Sequence, residues 1–302
     1  MLVIRNIFAI TVLLAVSAYG QTIRSVTITT EPAATVWVNG IRYGATDDDG
    51  KLTVRIAGAV RATVRVRAFG FKEATQPILS AAKELTVTLT KTTDEAELAF
   101  QDAERSTAID RPKAAEAYRK ALKLRPNFPE ANVGLARTLV EQGSIEDAFK
   151  AINAALKQRP AYAEAAAVKA RLLRDTGEAD KAVAEFKRAI TLGKGVQAEA
   201  NTGLGMLYQE RADTALADGE VLAAERHYAE AAKYFSTAIK QLGISPDASV
   251  VYQLQGRILE QQRKYKEAIA LYQQFLNAFP DSIDATAIQS FITQLQKQLE
   301  EQ

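Results

Sequence analysis

The sequence predicts a two-part chain, a small antiparallel β-sandwich followed by an all-α superhelical solenoid, and three observations carry that reading. Between residues 21 and 91, apolar and polar residues alternate, β-branched side chains abound, and Gly, Asn and Asp mark the turns. From Asp94 onward the composition shifts to Ala, Glu, Lys, Gln and Leu with a helical period. Within that second part, small and aromatic residues recur at an interval of 34. Ala148 and Ala182 stand that far apart, as do Ile152 and Phe186, Ala155 and Ala189, and Gly143 and Gly177.

Ahead of both parts lies a short export-like segment. Arg5 is the only charge before Arg24, Ile7 to Ala18 is almost unbroken apolar chain, and Ala18-Tyr19-Gly20 supplies small residues before Gln21. This is the order of a secretory signal, and the apolar run is shorter than the ~20 residues of a membrane span. Residues 1–20 are expected to be removed on export, retention as an N-terminal anchor being the alternative. The mature chain is then expected in the periplasm, secreted, or attached to the cell envelope, with no transmembrane span. The sequence has no cysteine, so no lipid-modified cysteine can follow the cleavage site.

The strands read in order. Ile23, Val26 and Ile28 lead to Glu31-Pro32; Thr35-Val36-Trp37-Val38 runs into Asn39-Gly40; Asp49-Gly50 turns into Leu52, Val54 and Ile56. Val60, Ala62, Val64, Val66 and Ala68 alternate up to Gly70, and Leu85-Thr86-Val87-Thr88-Leu89 supplies the last run. About seventy residues suffice for a modest core. The segment Thr30 to Gly40, with Gly44 after it, resembles the PEGA domain of bacterial envelope proteins. Ala33 stands where that family's Pro-x-Gly-Ala turn usually has glycine, and Phe69-Gly70-Phe71-Lys72 resembles its later turn. The Asp47–Gly50 turn and its following strand are equally similar to a carboxypeptidase regulatory-type sandwich. Both resemblances imply an all-β module without catalysis.

After a short linker, 92–94, the helical part divides into blocks 95–128, 129–162, 163–196, 198–248 and 249–282. The blocks share Leu-Gly-x-x-Tyr, Ala-x-x-x-Phe-x-x-Ala and a closing Pro in variant forms, seen as Leu204-Gly205-x-x-Tyr208 and as Ala268, Tyr272 and Pro280. This pattern resembles the tetratricopeptide repeat. The fourth copy is longer than the others, with Asp218-Gly219 expected at its bend, and the first carries Gln101-Asp102 in place of Leu-Gly. Residues 283–302 are expected to form a capping helix whose apolar face is Ile283, Ala287, Phe291, Leu295 and Leu299.

Composition narrows the chemistry. Without cysteine, disulfides, thiolate metal sites and Cys nucleophiles are impossible, and the single histidine, His227, excludes a multi-His cage. The 38 basic residues nearly balance the 36 acidic ones, which removes the drive for general nucleic-acid binding. Asp47-Asp48-Asp49 lacks the spacing of a calcium loop and reads as a solvated turn. Gly193-Lys194-Gly195 lacks the context of a phosphate loop. The reading contains no cofactor, no metal and no catalytic residue.

Two surfaces remain as candidates. On the sandwich, Trp37 and the alternating Arg61, Arg65 and Arg67, with Arg55 beside them, point away from the valine core. Residues 21–91 carry ten basic against six acidic residues, so this face could touch anionic envelope polymers. On the solenoid, the resemblance implies a groove lined by first helices. Arg137, Arg171 and Arg257 share one repeat position there, Met206 takes it in the fourth copy, and Arg174 lies close by. Such a column fits a protein or peptide partner of acidic character. Local pairing of Arg137 with Glu141 and of Arg171 with Asp175 is the competing expectation. The chain therefore reads as an exported, non-enzymatic scaffold or adaptor. The alternative is a cell-wall or glycan attachment protein that uses the sandwich, with the solenoid as spacer.

Overall fold

The structure, a computed structural model, describes residues 23–57 and 62–301. The export-like segment 1–20 and Arg61 lie outside the described residues. Seven strands come first among these: β1 (Ile23–Thr29), β2 (Thr35–Val38), β3 (Ile41–Ala45), β4 (Lys51–Ala57), β5 (Ala62–Arg67), β6 (Ala74–Ile78) and β7 (Glu84–Thr86). They form two sheets, β4-β1-β7 and β3-β2-β5-β6. Every pairing is antiparallel except the short β1–β7 contact, which is parallel. Alternation decides the faces: Val26, Ile28, Val54 and Ile56 of one sheet meet Val36, Val38, Val64 and Val66 of the other, all buried.

The turn before β2 is made without glycine. Ala33 adopts φ +53°, a conformation that costs an L-residue roughly 1–2 kcal/mol. Thr46, itself buried, anchors it: its Oγ1 accepts from Ala34 N at 2.8 Å and donates to Glu31 O at 2.7 Å. In the acidic turn, Asp47 Oδ1 accepts from Asp49 N and Lys51 N, so one of the three carboxylates serves the turn backbone.

Eleven helices follow among the described residues. They run as pairs α1 (Glu95–Ser106) with α2 (Arg111–Leu124), α3 (Pro129–Glu141) with α4 (Ile145–Gln158), and α5 (Ala163–Asp175) with α6 (Ala179–Leu192). The longer pair α7 (Ala198–Ala217) and α8 (Val221–Leu242), then α9 (Ala248–Gln261) with α10 (Tyr265–Ala278), and a single α11 (Ala285–Glu300) complete the chain. The longer pair turns at Gly219, whose φ of +78° suits glycine. Successive first helices α1, α3, α5 and α7 also touch one another and form an inner layer.

Small residues set how closely the paired helices approach. A Cβ on Gly205 would lie 2.5 Å from the Phe235 ring, and one on Gly256 would lie 2.3 Å from the Tyr272 hydroxyl. The terminal helix corrects the expected face. Ile288, Ile292 and Leu295 are buried, whereas Phe291 is 44% exposed and Ile283 is fully outside the packing. The packed face thus follows i, i+4, i+7 from Ile288; it keeps Leu295 of the expected stripe, while Ile283, Ala287 and Phe291 turn outward. Phe291 still reaches the rim of the Tyr272 ring, with centroids 6.1 Å apart.

The linker is bound to the sandwich. Thr92 N donates to Gly70 O and Lys72 N to Thr90 O, after which Asp94 caps α1 through Ala96 N and Glu97 N. At the junction, the buried Gln101 side chain accepts from Gly70 N at 2.9 Å and donates to Phe71 O at 2.7 Å. Arg67 bridges Glu73 and Glu104, and Arg105 lies over the Phe69 ring. Both halves keep their own apolar cores, and polar contacts join them, with Ile41 packing against the cluster of the last repeats.

Candidate functional site

A cavity of 760 Å³ opens between the two halves. Its sandwich wall is the β2–β3 hairpin, Asn39 to Arg42, flanked by Trp37 and Arg65. Its solenoid wall comes from Arg137 of α3, Arg171 and Arg174 of α5, and Thr202 and Met206 of α7, with Val250 and Val251 of α9 closing one end. The 34-residue interval puts equivalent positions of successive first helices on one face, which is why these side chains converge.

The electrostatics centre on Arg137. Its Nη1 and Nη2 hold the carboxylate of Glu199 at 2.9 and 2.5 Å, a fork spanning 62 residues of sequence, and Nη2 stands 3.5 Å from Glu164. Burial opposes the charge of Arg137, but Glu199 and then Glu164 outweigh it and hold the guanidinium above its ordinary pKa. Burial likewise opposes the charge of Glu199, yet the charge and hydrogen bonds of Arg137, with the charge of Arg171, keep its carboxyl below the usual range. The expected pairs are therefore corrected. Glu141 pairs with Arg111 at 2.7 Å, and Asp175 pairs with Arg174 at 2.8 Å. For Arg137, attraction to Glu199 two repeats on and to Glu164 of the next repeat, in the less hydrated groove, prevails over the exposed same-helix spacing.

Arg174 also directs Nη1 at Met206 Sδ, 3.1 Å away, so those two candidates meet. Arg171 lines the cavity with its Nε buried and without a hydrogen-bond partner among the described residues. Arg257 stands apart: it is exposed and does not line the cavity, and its charge is felt by Tyr272 instead. On the sandwich side, Trp37 is half-buried, with the Arg65 guanidinium 4.2 Å and that of Arg67 5.4 Å from its ring centroid. Arg65 thus fronts the cavity beside Trp37, while Arg67 is engaged at the junction with Glu73 and Glu104. His227 packs near Tyr208, with ring centroids 6.1 Å apart, outside this cavity.

Two contributors escape sequence reasoning. Glu199 carries a signal, because it holds the same repeat position as Glu130 and Glu164. Arg42 and the hairpin around it carry none, since nothing local says that the hairpin faces the groove.

This arrangement defines a class first: a helical-repeat solenoid with a groove suited to holding another chain. Its repeats are tetratricopeptide repeats, since models of that repeat match residues 110–172, 163–192 and 210–283. Among solved structures, a thermophilic tetratricopeptide protein of Thermus thermophilus is 18% identical with a TM-score of 0.51, covering 66% of this chain and 99% of that one. Yeast Tom70 is 16% identical with a TM-score of 0.54, covering 69% of this chain and 41% of that one. The human IFIT1 dimer with m7Gppp-AAAA is 19% identical with a TM-score of 0.51, covering 65% and 42%. These likenesses show the shared fold alone. Comparison with curated proteins gives no match.

Proposed function

We propose that this chain is an exported, non-enzymatic scaffold of the bacterial envelope that holds a protein partner in the groove between sandwich and solenoid. The observation that carries it is the 760 Å³ cavity walled by the β2–β3 hairpin on one side and by first helices on the other. Stacked helical repeats build extended concave surfaces of the kind that hold another chain, and tetratricopeptide repeats are such an architecture. The PEGA-like reading of the sandwich rests on the Glu31–Ala34 turn and the residues around it. Trp37 and Arg65 front the groove, which favours partner binding over cell-wall attachment through that face. Export rests on the apolar run Ile7 to Ala18 ahead of small residues.

A photo-crosslinking residue at Thr202, in the cavity wall, should capture a partner that one at the exposed Glu225 does not. Equal capture from both positions would remove the groove from the function. Sequencing of the envelope fraction should find a mature chain starting after Gly20. A chain that begins at Met1 overturns signal removal.

A further inference from the structure

Resting on the groove reading above, we propose that the cavity is a two-sided site for an extended acidic peptide, whose carboxylates meet Arg171 from the solenoid and Arg42 from the sandwich. Five arginines line the cavity against three carboxylates. Two of those carboxylates, Glu164 and Glu199, already face Arg137. Arg174 is engaged by Asp175, and Arg65 lies between the Trp37 ring and Glu73. Arg171 and Arg42 are left without an ion-pair partner among the described residues. Burying a donor of a charged group without an acceptor is costly, and the Nε of Arg171 is in that state. An incoming carboxylate would satisfy it and match the excess positive charge.

Shape selects the extended form. β3 is an edge strand of the sheet β3-β2-β5-β6, so its outer backbone groups have no partner strand there. Asn39 to Arg42, the turn and the start of that strand, front the cavity. A peptide laid along this edge can add as a further strand, and its period-two side chains then alternate toward the arginine-bearing helices. The sandwich is in that case half of the binding site and not a spacer.

The test is a random-peptide display selection on the purified full chain, followed by fluorescence anisotropy of the enriched peptides and their Gln/Asn counterparts. Asp and Glu should be enriched, with a preference for alternate positions. Arg42→Gln breaks no ion pair of the protein and should melt like the parent, and Arg171→Gln, which removes a charge that Glu199 feels, should melt slightly lower but stay folded, yet each should weaken the acidic peptide by about tenfold. Arg171→Lys, which keeps the charge but loses the fork, should retain part of that affinity. Enriched peptides without acidic preference overturn the proposal, and so does affinity unaffected by Arg42→Gln; both leave the groove reading intact. Failure to enrich any peptide overturns it as well, and the groove reading falls with it only if Thr202 and Glu225 also crosslink alike.

Discussion

Arg55 of β4 donates through Nη1 to the carbonyl of Ala278 at the end of α10, 2.9 Å across 223 residues of sequence. That carbonyl belongs to the last turn of its helix, where no intrahelical donor reaches it and where a cation complements the helix dipole. The sandwich therefore touches both α1, through Gln101 and Arg67, and α10, through Arg55. Ile41 adds an apolar contact with the cluster of the last repeats.

Removing the distal tie should loosen the sandwich without unfolding it. The chain lacks cysteine, so spin labels at Lys51→Cys and Asn277→Cys would be the only ones present. Arg55→Ala should broaden the distance distribution between them, with a stability change below ~1.5 kcal/mol for one partly exposed hydrogen bond. An unchanged distribution would show that other contacts hold this end.

The near tie should matter more for stability. Gln101 occupies the place where the repeat usually has leucine, and its amide satisfies Gly70 N–H and Phe71 C=O of the sandwich. Gln101→Leu restores the repeat pattern but leaves those groups without partners, so a loss of ~1–2 kcal/mol is expected in urea unfolding. A stabilised variant would mean that repeat packing outweighs the junction.

Close helix approach at Gly256 should resist even one methyl group. The Tyr272 ring is buried and its hydroxyl donates to Glu260 Oε1 at 2.5 Å, so it cannot swing clear of a Cβ placed 2.3 Å away. Gly256→Ala gains up to ~1 kcal/mol of helix propensity, whereas overpacking costs ~1–3 kcal/mol. A net loss of ~1–2 kcal/mol, read as a lower melting temperature, is expected. A higher melting temperature would contradict the packing described.

Acid should weaken the groove through Glu199. Its folded pKa lies below the ordinary 4.5 because Arg137 and Arg171 outweigh burial. The unfolded chain thus binds the proton more readily, and the stabilisation is complete above that ordinary value and lost as pH falls through the depressed one. Glu199→Gln should cost about 1–2 kcal/mol at neutral pH, after allowance for the solvent still reaching the pair, and should flatten the decline in stability below pH ~4.5. An acid profile identical to that of the parent would show that other carboxylates govern it.

Periodicity along the chain was enough for the fold class and for the identity of the repeats. Alternation assigns each strand residue to a face, and a 34-residue interval stacks like upon like, so both are local or nearest-neighbour properties. The arginine column was half legible for the same reason: Arg137, Arg171 and Met206 meet in one cavity because they share a repeat position, while Arg257 lies outside it.

What stayed hidden depends on surfaces that no spacing rule relates. Trp37, Arg65 and Arg67 read as an outward sandwich face, and on β2 and β5 they are one, but the solenoid lies against it; Arg55, expected beside them, stands on β4 of the other sheet. Arg67 with Glu104, Arg55 with Ala278 and Arg137 with Glu199 join elements 37 to 223 residues apart, and charge complementarity across the folded surfaces selects those partners. The face of α11 was legible at Leu295 but not before it, because the surface of the last repeat sets the rotation at which Ile288 and Ile292 pack in place of Ala287 and Phe291.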